Sequence, residues 1–379
     1  MAQELVRLGH AVRVVTALPH HLGAGAGRPF RLWQEERDGA VWVLRTWIWR
    51  VKPGRFWRRL LNYFSFVVTS FFGLWRAGRA DYLVVESPPL FLGLTAWAYG
   101  RLRRIPYILS VSDLWPDSAV ALGLVTNPQL IGLARRLEHF LYRNAAYVSA
   151  VTEGIRAAVA ASGTIPASRV LFFPNGVDPA AFTGGDPERI RRRLGLEGRH
   201  VFLYPGTLGY AQGLEIILEA ADLLREGLPE VLFLLVGEGP VKAAMMAEAE
   251  RRGLSNVRFE PLRPVGEMRH YFALSRGVVV PLRRHPLFAG ARPSKVFPAW
   301  AAGVPVIFAG EGEMARLVEE SGAGVVVPPE DGPALAMAVE FLTRIADWEW
   351  RAMGEAGRRF VAERYRWDAI ARAWVEGLG

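Results

Sequence analysis

Short apolar runs alternate with helix-like segments along most of this chain, and that alternation constrains the fold more than any other feature. Strand-like runs at 81–87, 105–111 and 231–236 end in turn residues and are followed by helix-like segments. Such a βαβα order predicts parallel sheets covered by helices. A stretch rich in Pro, Gly and charge interrupts the order from Asn175 to about His200. We therefore expect an α/β protein with two doubly wound domains in series, whose strand ends face one cleft.

The composition suits two domains with anionic partners. The chain has 379 residues and a hydrophobic content of 51%, which is enough for two cores. It contains no Cys, which excludes disulfides, a thiol nucleophile and Cys-ligated zinc. The formal net charge of +9 favours anionic lipid or phosphorylated substrates. Nucleic acid is not an expected partner, because the basic residues lie among aromatic residues rather than along a groove-sized stripe.

A cationic loop and an acidic turn enclose one helix–strand unit between Arg292 and Glu313. Arg292 and Lys295 can meet an anion at the start of this unit. The apolar run 304–308 predicts a buried strand, and the acidic turn follows at its carboxyl end, where open α/β sheets bind ligands. The pattern suits a nucleotide, with cations for its phosphates and carboxylates for its hydroxyls. An ordinary α/β unit with surface charges is the alternative.

Two further strand ends carry candidate site residues. A glycine-rich turn from Gly206 to Gly213 leads from a predicted strand into a predicted helix, where backbone N–H groups and the helix dipole suit phosphate. The turn matches neither G-x-G-x-x-G nor the Walker pattern, so alone it is a weak signal. Asp113 follows another buried strand, where catalytic groups collect. A helix N-cap is the alternative role for Asp113.

Residues 42–79 combine basic and aromatic side chains. The apolar run from Leu60 to Trp75 is shorter than the roughly 20 residues that span a bilayer. A basic segment leading into an aromatic helix is typical of a membrane interface. We expect this segment to contact the inner face of the cytoplasmic membrane; a buried helix with a solvated basic cap is the alternative.

The chain begins with a predicted helix, Met1 to Gly9, that leads into a predicted strand, Ala11 to Leu18. A βαβ unit normally has a strand and a Gly-rich turn before such a helix. Neither is in the sequence, so we expect a shortened or misassigned N-terminus and a gap in the middle of the first sheet. We expect a chain that starts here to be less than fully active.

Six motifs in order along the chain are similar to those of one enzyme family. They are Glu86–Pro89 (ESPP), Ser112–Asp117 (SDLWPD), Asn175–Asp178 (NGVD), Gly206–Gly213 (GTLGYAQG), Val236–Pro240 (VGEGP), and Pro293–Lys295 (PSK) running on to Gly303–Pro305 (GVP). With these motifs the chain resembles the group 1 (family 4) glycosyltransferases of the GT-B fold. Within that family it resembles the bacterial branch that builds capsule, O-antigen and other exopolysaccharides, some of whose members transfer N-acetylated amino sugars.

The resemblance implies a retaining, metal-independent transfer from a nucleotide-sugar, with UDP the expected carrier and no cofactor, to a lipid-linked or polysaccharide acceptor. The acceptor would bind residues 1–178 and the nucleotide residues 179–360, with a C-terminal helix in 361–379 returning to the first domain. Lys295 would absorb charge on the leaving diphosphate. Asp113 would position or polarise hydroxyls. The donor-binding candidates are Gly206, Thr207, Gln212, Gly237, Glu238, Arg292, Ser294 and Glu313.

Two positions depart from the family's pattern. Its E-x₇-E element would place carboxylates near positions 290 and 298, where this chain has Gly290 and Pro298. Pro298 removes the Glu that usually binds the ribose and a helical N–H. We expect the ribose contact to pass to Glu313 or Glu311, or donor binding to weaken.

Two other functions stay open on sequence alone. A sugar-nucleotide epimerase of the same two-domain shape would use carboxylates and His, but His285 alone among the His residues stands near a predicted strand end. A degenerate, non-enzymatic binding subunit would agree with Pro298 and the absent first strand. Turnover of UDP- and GDP-sugars separates these functions.

Overall fold

A computed structural model describes residues 1–18, 31–49 and 56–378 of the chain, with the backbone alone for 56–60. Residues 50–55 of the predicted membrane segment lie outside the described residues. The chain forms two compact units: unit 1 is Met1–Pro174 with Asp368–Gly379, and unit 2 is Asn175–Trp367. These boundaries differ from the sequence-based positions 178 and 360. The chain returns from unit 2 to unit 1 later than predicted, because the helix Asp347–Arg364 lies wholly within unit 2.

Unit 1 has an α/β architecture. Its strands are β1 (Arg13–Ala17), β2 (Trp33–Asp38), β3 (Val41–Thr46), β4 (Leu83–Ser87), β5 (Tyr107–Val111), β6 (Tyr147–Ala150) and β7 (Val170–Phe172). Its helices are α1 (Ala2–Arg7), α2 (Phe56–Ala77), α3 (Leu92–Arg103), α4 (Asp117–Ala121), α5 (Pro128–Asn144) and α6 (Glu153–Ala161). The β2–β3 hairpin was not predicted from the sequence, because β2 (WQEERD) is almost entirely polar and lacks an apolar signal.

The strands of unit 1 lie in two separate sheets. One has the order β1-β3-β2, with β1 and β3 parallel and β2 antiparallel to β3. The other has the parallel order β4-β5-β6-β7. No strand in the described ranges pairs with the free edge of β1 or of β4. Every residue of β1 keeps some exposure, whereas β5 is buried throughout.

The core of unit 1 is built from the apolar strands β5 and β6 and the helices beside them. Residues 368–379 join this unit through side-chain contacts. The indole N–H of Trp374 donates to Ser149 Oγ at 2.7 Å, and the Trp374 ring lies 4.9 Å from that of Phe173. The hydroxyl of Tyr147 donates to the carbonyl of Leu378 at 2.7 Å. The last helix, α15, spans Trp367–Glu376.

Unit 2 is a doubly wound α/β unit around one parallel sheet. Its strands are β8 (His200–Pro205), β9 (Val231–Val236), β10 (Val257–Glu260), β11 (Ser275–Pro281), β12 (Val306–Ala309) and β13 (Gly324–Val327), in the order β10-β9-β8-β11-β12-β13. Its helices are α7 (Pro187–Leu194), α8 (Glu215–Leu224), α9 (Lys242–Arg251), α10 (Val265–Leu274), α11 (Val296–Ala302), α12 (Glu313–Ser321), α13 (Gly332–Arg344) and α14 (Asp347–Arg364).

Strands β9 and β12 of unit 2 are buried throughout, as expected for apolar runs covered by helices on both faces. Helix α7 lies within the stretch that the sequence analysis treated as a domain boundary. The sequence does contain a helix-start signal here, but it lies in a stretch rich in Pro, Gly and charge. Asp186 accepts hydrogen bonds from the backbone N–H groups of Glu188 and Arg189, and Pro187 occupies the first turn.

The predicted loss of a helical N–H at Pro298 has no consequence for the helix. Pro298 is the third residue of α11, and the first N–H groups of a helix have no intrahelical partner. Pro298, standing where the family's pattern has Glu, therefore changes the side chain available to a ligand and leaves the helix intact. Among the helices of the described ranges, none is both long and apolar enough to cross a membrane.

Candidate functional site

Four loops meet at the carboxyl ends of the parallel strands of unit 2. They follow β8, β9, β11 and β12, and together with Glu313, the first residue of α12, they contain every donor-binding candidate. The first two loops are hydrogen-bonded to each other, since the N–H of Leu208 donates to the carbonyl of Glu238 at 3.0 Å. This edge is where an open α/β sheet places its ligand.

Two glycines allow the first two loops to approach closely. Gly206 has φ = +114°, a backbone conformation that other residues rarely adopt. A Cβ on Gly237 would stand 1.8 Å from the carbonyl oxygen of Gly206, so a side chain there would force the loops apart. The chain thus presents a bare stretch of backbone at this edge, as phosphate binding requires.

Lys295 lies against this bare backbone. A Cβ on Gly206 would stand 2.9 Å from Lys295 Cε and 3.8 Å from its ammonium nitrogen. The ammonium nitrogen also lies 4.9 Å from the centroid of the Tyr204 ring, within cation–π distance. Burial lowers the pKa of Lys295 to about 8. Lys295 therefore points toward the glycine-rich turn, not into bulk solvent.

Arg292 and Glu313 pair with each other. Arg292 Nε lies 2.5 Å from Glu313 Oε1, and the two side chains are only 8% and 7% exposed. Arg292 also donates to the hydroxyl of Tyr365 at 3.3 Å. The carboxylate of Glu313 partly neutralises the guanidinium, which leaves less of its charge for a diphosphate than the sequence alone suggested. Both residues stay candidates for donor binding, and they also form a buried ion pair within unit 2.

The other donor-binding candidates lie around the same edge. The side chain of Gln212 lies over Gly209, whose added Cβ would stand 2.6 Å from Gln212 Oε1. Thr207 and Ser294 are exposed. Glu238 forms an ion pair with Lys242 at 2.7 Å, and Lys242 also donates to the carbonyls of Gly237 and Glu260. Lys242 thereby holds the second loop in place.

A small cavity at this edge is lined by residues 282–285 and 288–289 together with Glu311 and Pro329. Glu311 forms an exposed ion pair with Arg284 at 3.2 Å. His285 Nδ1 accepts from the backbone N–H of Leu287 at 3.2 Å, so this imidazole caps a short turn. This contact gives His285 a structural role.

Asp113 lies in unit 1, directly after β5. Burial raises the pKa of Asp113, while hydrogen bonds from the Ser118 hydroxyl and the Leu114 backbone oppose that rise. Ser118 belongs to α4, whose N-cap residue is Pro116 and not Asp113. Asp113 therefore does not fill the N-cap position that was its alternative role, although its carboxylate does contact the first turn of that helix.

Three contributors were not identified from the sequence: Tyr204 beside Lys295, Lys242 behind the second loop, and Ser118 at Asp113. Lys242 could have been found, because it stands four residues after Glu238, at the spacing of a helical ion pair. Tyr204 and Ser118 act through contacts that depend on the folded loops. No group of three or more His, Asp or Glu side chains that could share a metal ion occurs in the described part of the chain.

Comparison with known proteins identifies the family. Residues 1–176 match the family model described as glycosyl transferase 4-like domain, and residues 199–344 match glycosyl transferases group 1. WcaI of Escherichia coli (strain K12), assigned to colanic acid biosynthesis as a glycosyl transferase, is 30% identical over 352 residues, which cover 89% of this chain and 86% of WcaI. The chain belongs to the group 1 glycosyltransferases of the GT-B fold. It falls in the exopolysaccharide and O-antigen branch that its motifs predicted.

Solved structures agree with this fold. Sucrose-phosphate synthase from Thermosynechococcus elongatus has a TM-score of 0.73 at 20% identity, over 99% of this glycosyltransferase and 90% of that chain. HepE of Anabaena, solved in complex with UDP and glucose, has a TM-score of 0.69 at 18% identity, covering 89% and 85% of the two chains. The predictions of a glycosyltransferase with two Rossmann-like domains, acting in cell-surface glycan synthesis, are therefore confirmed, and the epimerase and non-enzymatic alternatives are set aside.

Proposed function

We propose that this glycosyltransferase moves a sugar from a UDP-linked donor, with retention at C1, to a lipid-linked or polysaccharide acceptor. The observation that carries the proposal is the position of Lys295, whose ammonium lies against the bare backbone of Gly206 at the carboxyl ends of the unit 2 strands. A UDP-sugar carries its diphosphate next to the bond that must break, so it needs a cation at that place. HepE, solved with UDP and glucose, supports UDP as the carrier.

In the proposed reaction the bond between sugar C1 and the diphosphate oxygen breaks, and the diphosphate leaves with the electron pair. A new bond forms between C1 and the acceptor oxygen on the same face, and the acceptor hydroxyl passes its proton to the departing diphosphate oxygen. Lys295 would stabilise the charge that develops on the diphosphate, and the backbone N–H of Thr207 would add a hydrogen bond. The N–H of Gly206 already donates to the carbonyl of Val236 at 2.8 Å. The diphosphate is thus met by protein groups, and the proposal includes no metal or cofactor.

Gln212, Gly237, Glu238 and Ser294 would complete the donor site around this cation. Glu313 would orient a ribose hydroxyl while keeping its pairing with Arg292. Asp113 of unit 1 would position a hydroxyl of the acceptor or sugar. The raised pKa of its half-buried carboxyl supports this role, because groups tuned by burial at strand ends are often functional.

We further propose that the enzyme works at the inner face of the cytoplasmic membrane, with the exposed side of α2, within the predicted segment 42–79, at the membrane surface. The start of that segment does not take part, because β3 is the central strand of its sheet and Leu44 and Thr46 are buried. What supports this proposal is the class of its relatives and the number of large apolar side chains exposed on α2. A lipid-linked acceptor would be held in that same surface. N-acetylated amino sugars are the first donors to test, since some members of this branch transfer them.

The test is turnover of a panel of UDP- and GDP-sugars with a lipid-linked acceptor, read as nucleotide release and as the anomeric configuration of the product by NMR. We expect one UDP-sugar to be used with retention. Lys295→Met should lower kcat by about a hundredfold or more, as loss of a charge-stabilising group does elsewhere, while Lys295→Arg keeps part of the rate. Inversion at C1, or unchanged kcat in Lys295→Met, would sink the proposal.

A further inference from the structure

Helix α2 exposes a continuous apolar stripe. Its members are Leu61, Phe64, Val68, Phe72 and Trp75, each between 41% and 59% exposed. Their spacing of three or four residues places them on one side of the helix. A surface helix normally buries such a stripe against its own core, so a stripe left in solvent marks a contact surface.

Helix α5 carries a second stripe that the sequence analysis did not identify. Leu130, Leu133 and Phe140 also share one side of their helix and are 51%, 64% and 37% exposed. Both stripes border helix α3. The Phe64 ring lies 4.8 Å from that of Phe91, just before α3, and the Phe140 ring lies 5.1 Å from Trp97 within α3. Helices α2, α3 and α5 therefore form one surface of unit 1, here named the three-helix face.

The charged side chains carried by these three helices are almost all of one sign. Their described arginines are Arg76, Arg101, Arg103, Arg135, Arg136 and Arg143, of which Arg76 pairs with Glu35 and Arg135 with Asp117. Among the described side chains of these helices, the one acidic residue is Glu138, which is buried. Arg103 lies over the exposed ring of Trp75 at 4.8 Å. A Trp with an Arg beside it is a pair suited to the boundary between lipid and water.

We propose that the three-helix face docks on an anionic phospholipid bilayer, with the apolar stripes in the headgroup boundary and the arginines against lipid phosphates. This inference rests on the proposed membrane location. It adds α5 to the contact surface and specifies that the lipid headgroups are anionic. A second copy of the chain fits less well, because arginines would then face arginines across the interface. The face lies flat on the bilayer; none of its helices crosses it.

The experiment is co-sedimentation of the full chain with vesicles of phosphatidylcholine alone or with about a third phosphatidylglycerol. The face variants are Phe72→Asp and Leu133→Asp. The matched controls are Leu223→Asp and Met337→Asp, which alter side chains 59% and 71% exposed on unit 2. We expect wild type and controls to bind the anionic vesicles and each face variant to bind at least about tenfold more weakly, because one buried apolar side chain is lost and a repelled charge is added.

Leu133→Asp is the decisive variant, since it lies outside residues 42–79. The proposal is overturned if Leu133→Asp binds anionic vesicles as tightly as the wild type does. It is also overturned if the wild-type protein does not bind anionic vesicles. A dimer of the wild type in analytical ultracentrifugation that both face variants dissociate overturns it as well, because a second copy then covers the face. Circular dichroism verifies folding of each variant. Nucleotide release with a soluble acceptor is measured in parallel on the wild type. A wild type that releases nucleotide but does not bind anionic vesicles refutes docking alone, and one that binds the vesicles but releases no nucleotide refutes transfer alone.

Discussion

Lys295 should make nucleotide binding dependent on pH. Burial lowers the pKa of Lys295 to about 8 in the ligand-free protein, so at pH 8.5 only about a quarter of the molecules carry the charge. A diphosphate beside the ammonium favours the charged form and should return the pKa toward its ordinary value. Binding of UDP at pH 8.5 should then take up about 0.7 proton, compared with about 0.1 at pH 7.

The affinity should follow the same equilibrium. Because the neutral lysine must first gain a proton, the Kd for UDP should rise about fourfold between pH 7 and pH 8.5. The full shift from 10.5 to about 8 corresponds to about 3 kcal/mol. In the ligand-free protein, the effect of rising pH on folding stability has the opposite sign to its effect on UDP affinity. The folded state binds fewer protons than the unfolded chain between pH 8 and 10.5, so the contribution of Lys295 to stability rises with pH over that window.

Isothermal titration calorimetry of UDP binding in buffers of different ionisation enthalpy measures the proton uptake directly. Lys295→Arg is the matched control, since its guanidinium stays charged and should bind UDP without proton uptake. Lys295→Met should bind weakly and without uptake. Proton uptake at pH 8.5 that is absent from the wild type, or unchanged in Lys295→Met, would show that this lysine does not face the diphosphate.

Three other substitutions test the packing around the sites. Gly206→Ala should weaken UDP binding about tenfold in calorimetry, because a φ of +114° strains alanine by about 1–3 kcal/mol and the new methyl meets Lys295; unchanged affinity would contradict the loop geometry. Glu313→Gln should lower the unfolding free energy by about 3–5 kcal/mol in urea titrations by leaving Arg292 without its counter-charge, and a loss below about 1 kcal/mol would show that the pair is not a structural element. Burial raises the pKa of Glu138 to about 7 from 4.5, so the folded state binds the extra proton between those values and stability falls as pH rises through them. Glu138→Gln should abolish that slope and add about 1–3 kcal/mol at pH 8, and a retained slope would assign it to another group.

The arrangement of the candidate site could be predicted from the sequence to the extent that it is built from local signals. The glycine-rich turn after β8, the loop before α11 and the turn after β12 all follow apolar runs, and parallel topology brings the carboxyl ends of such strands to one edge. Gly206 and Lys295 could therefore be placed together before the structure was known. The alternation of strands and helices likewise determined the fold class.

Only the tertiary structure decided which charges are available. Arg292 and Lys295 look equivalent in the sequence, but Arg292 pairs with Glu313 while Lys295 lies against Tyr204 and bare backbone. The exposed stripe on α5 is also a tertiary result, because its periodicity is that of any helix with a buried face. Periodicity and turn chemistry are local and can be read along the chain. The partner of a charge, and the side of a helix left in solvent, depend on segments distant in sequence that meet only in the folded protein.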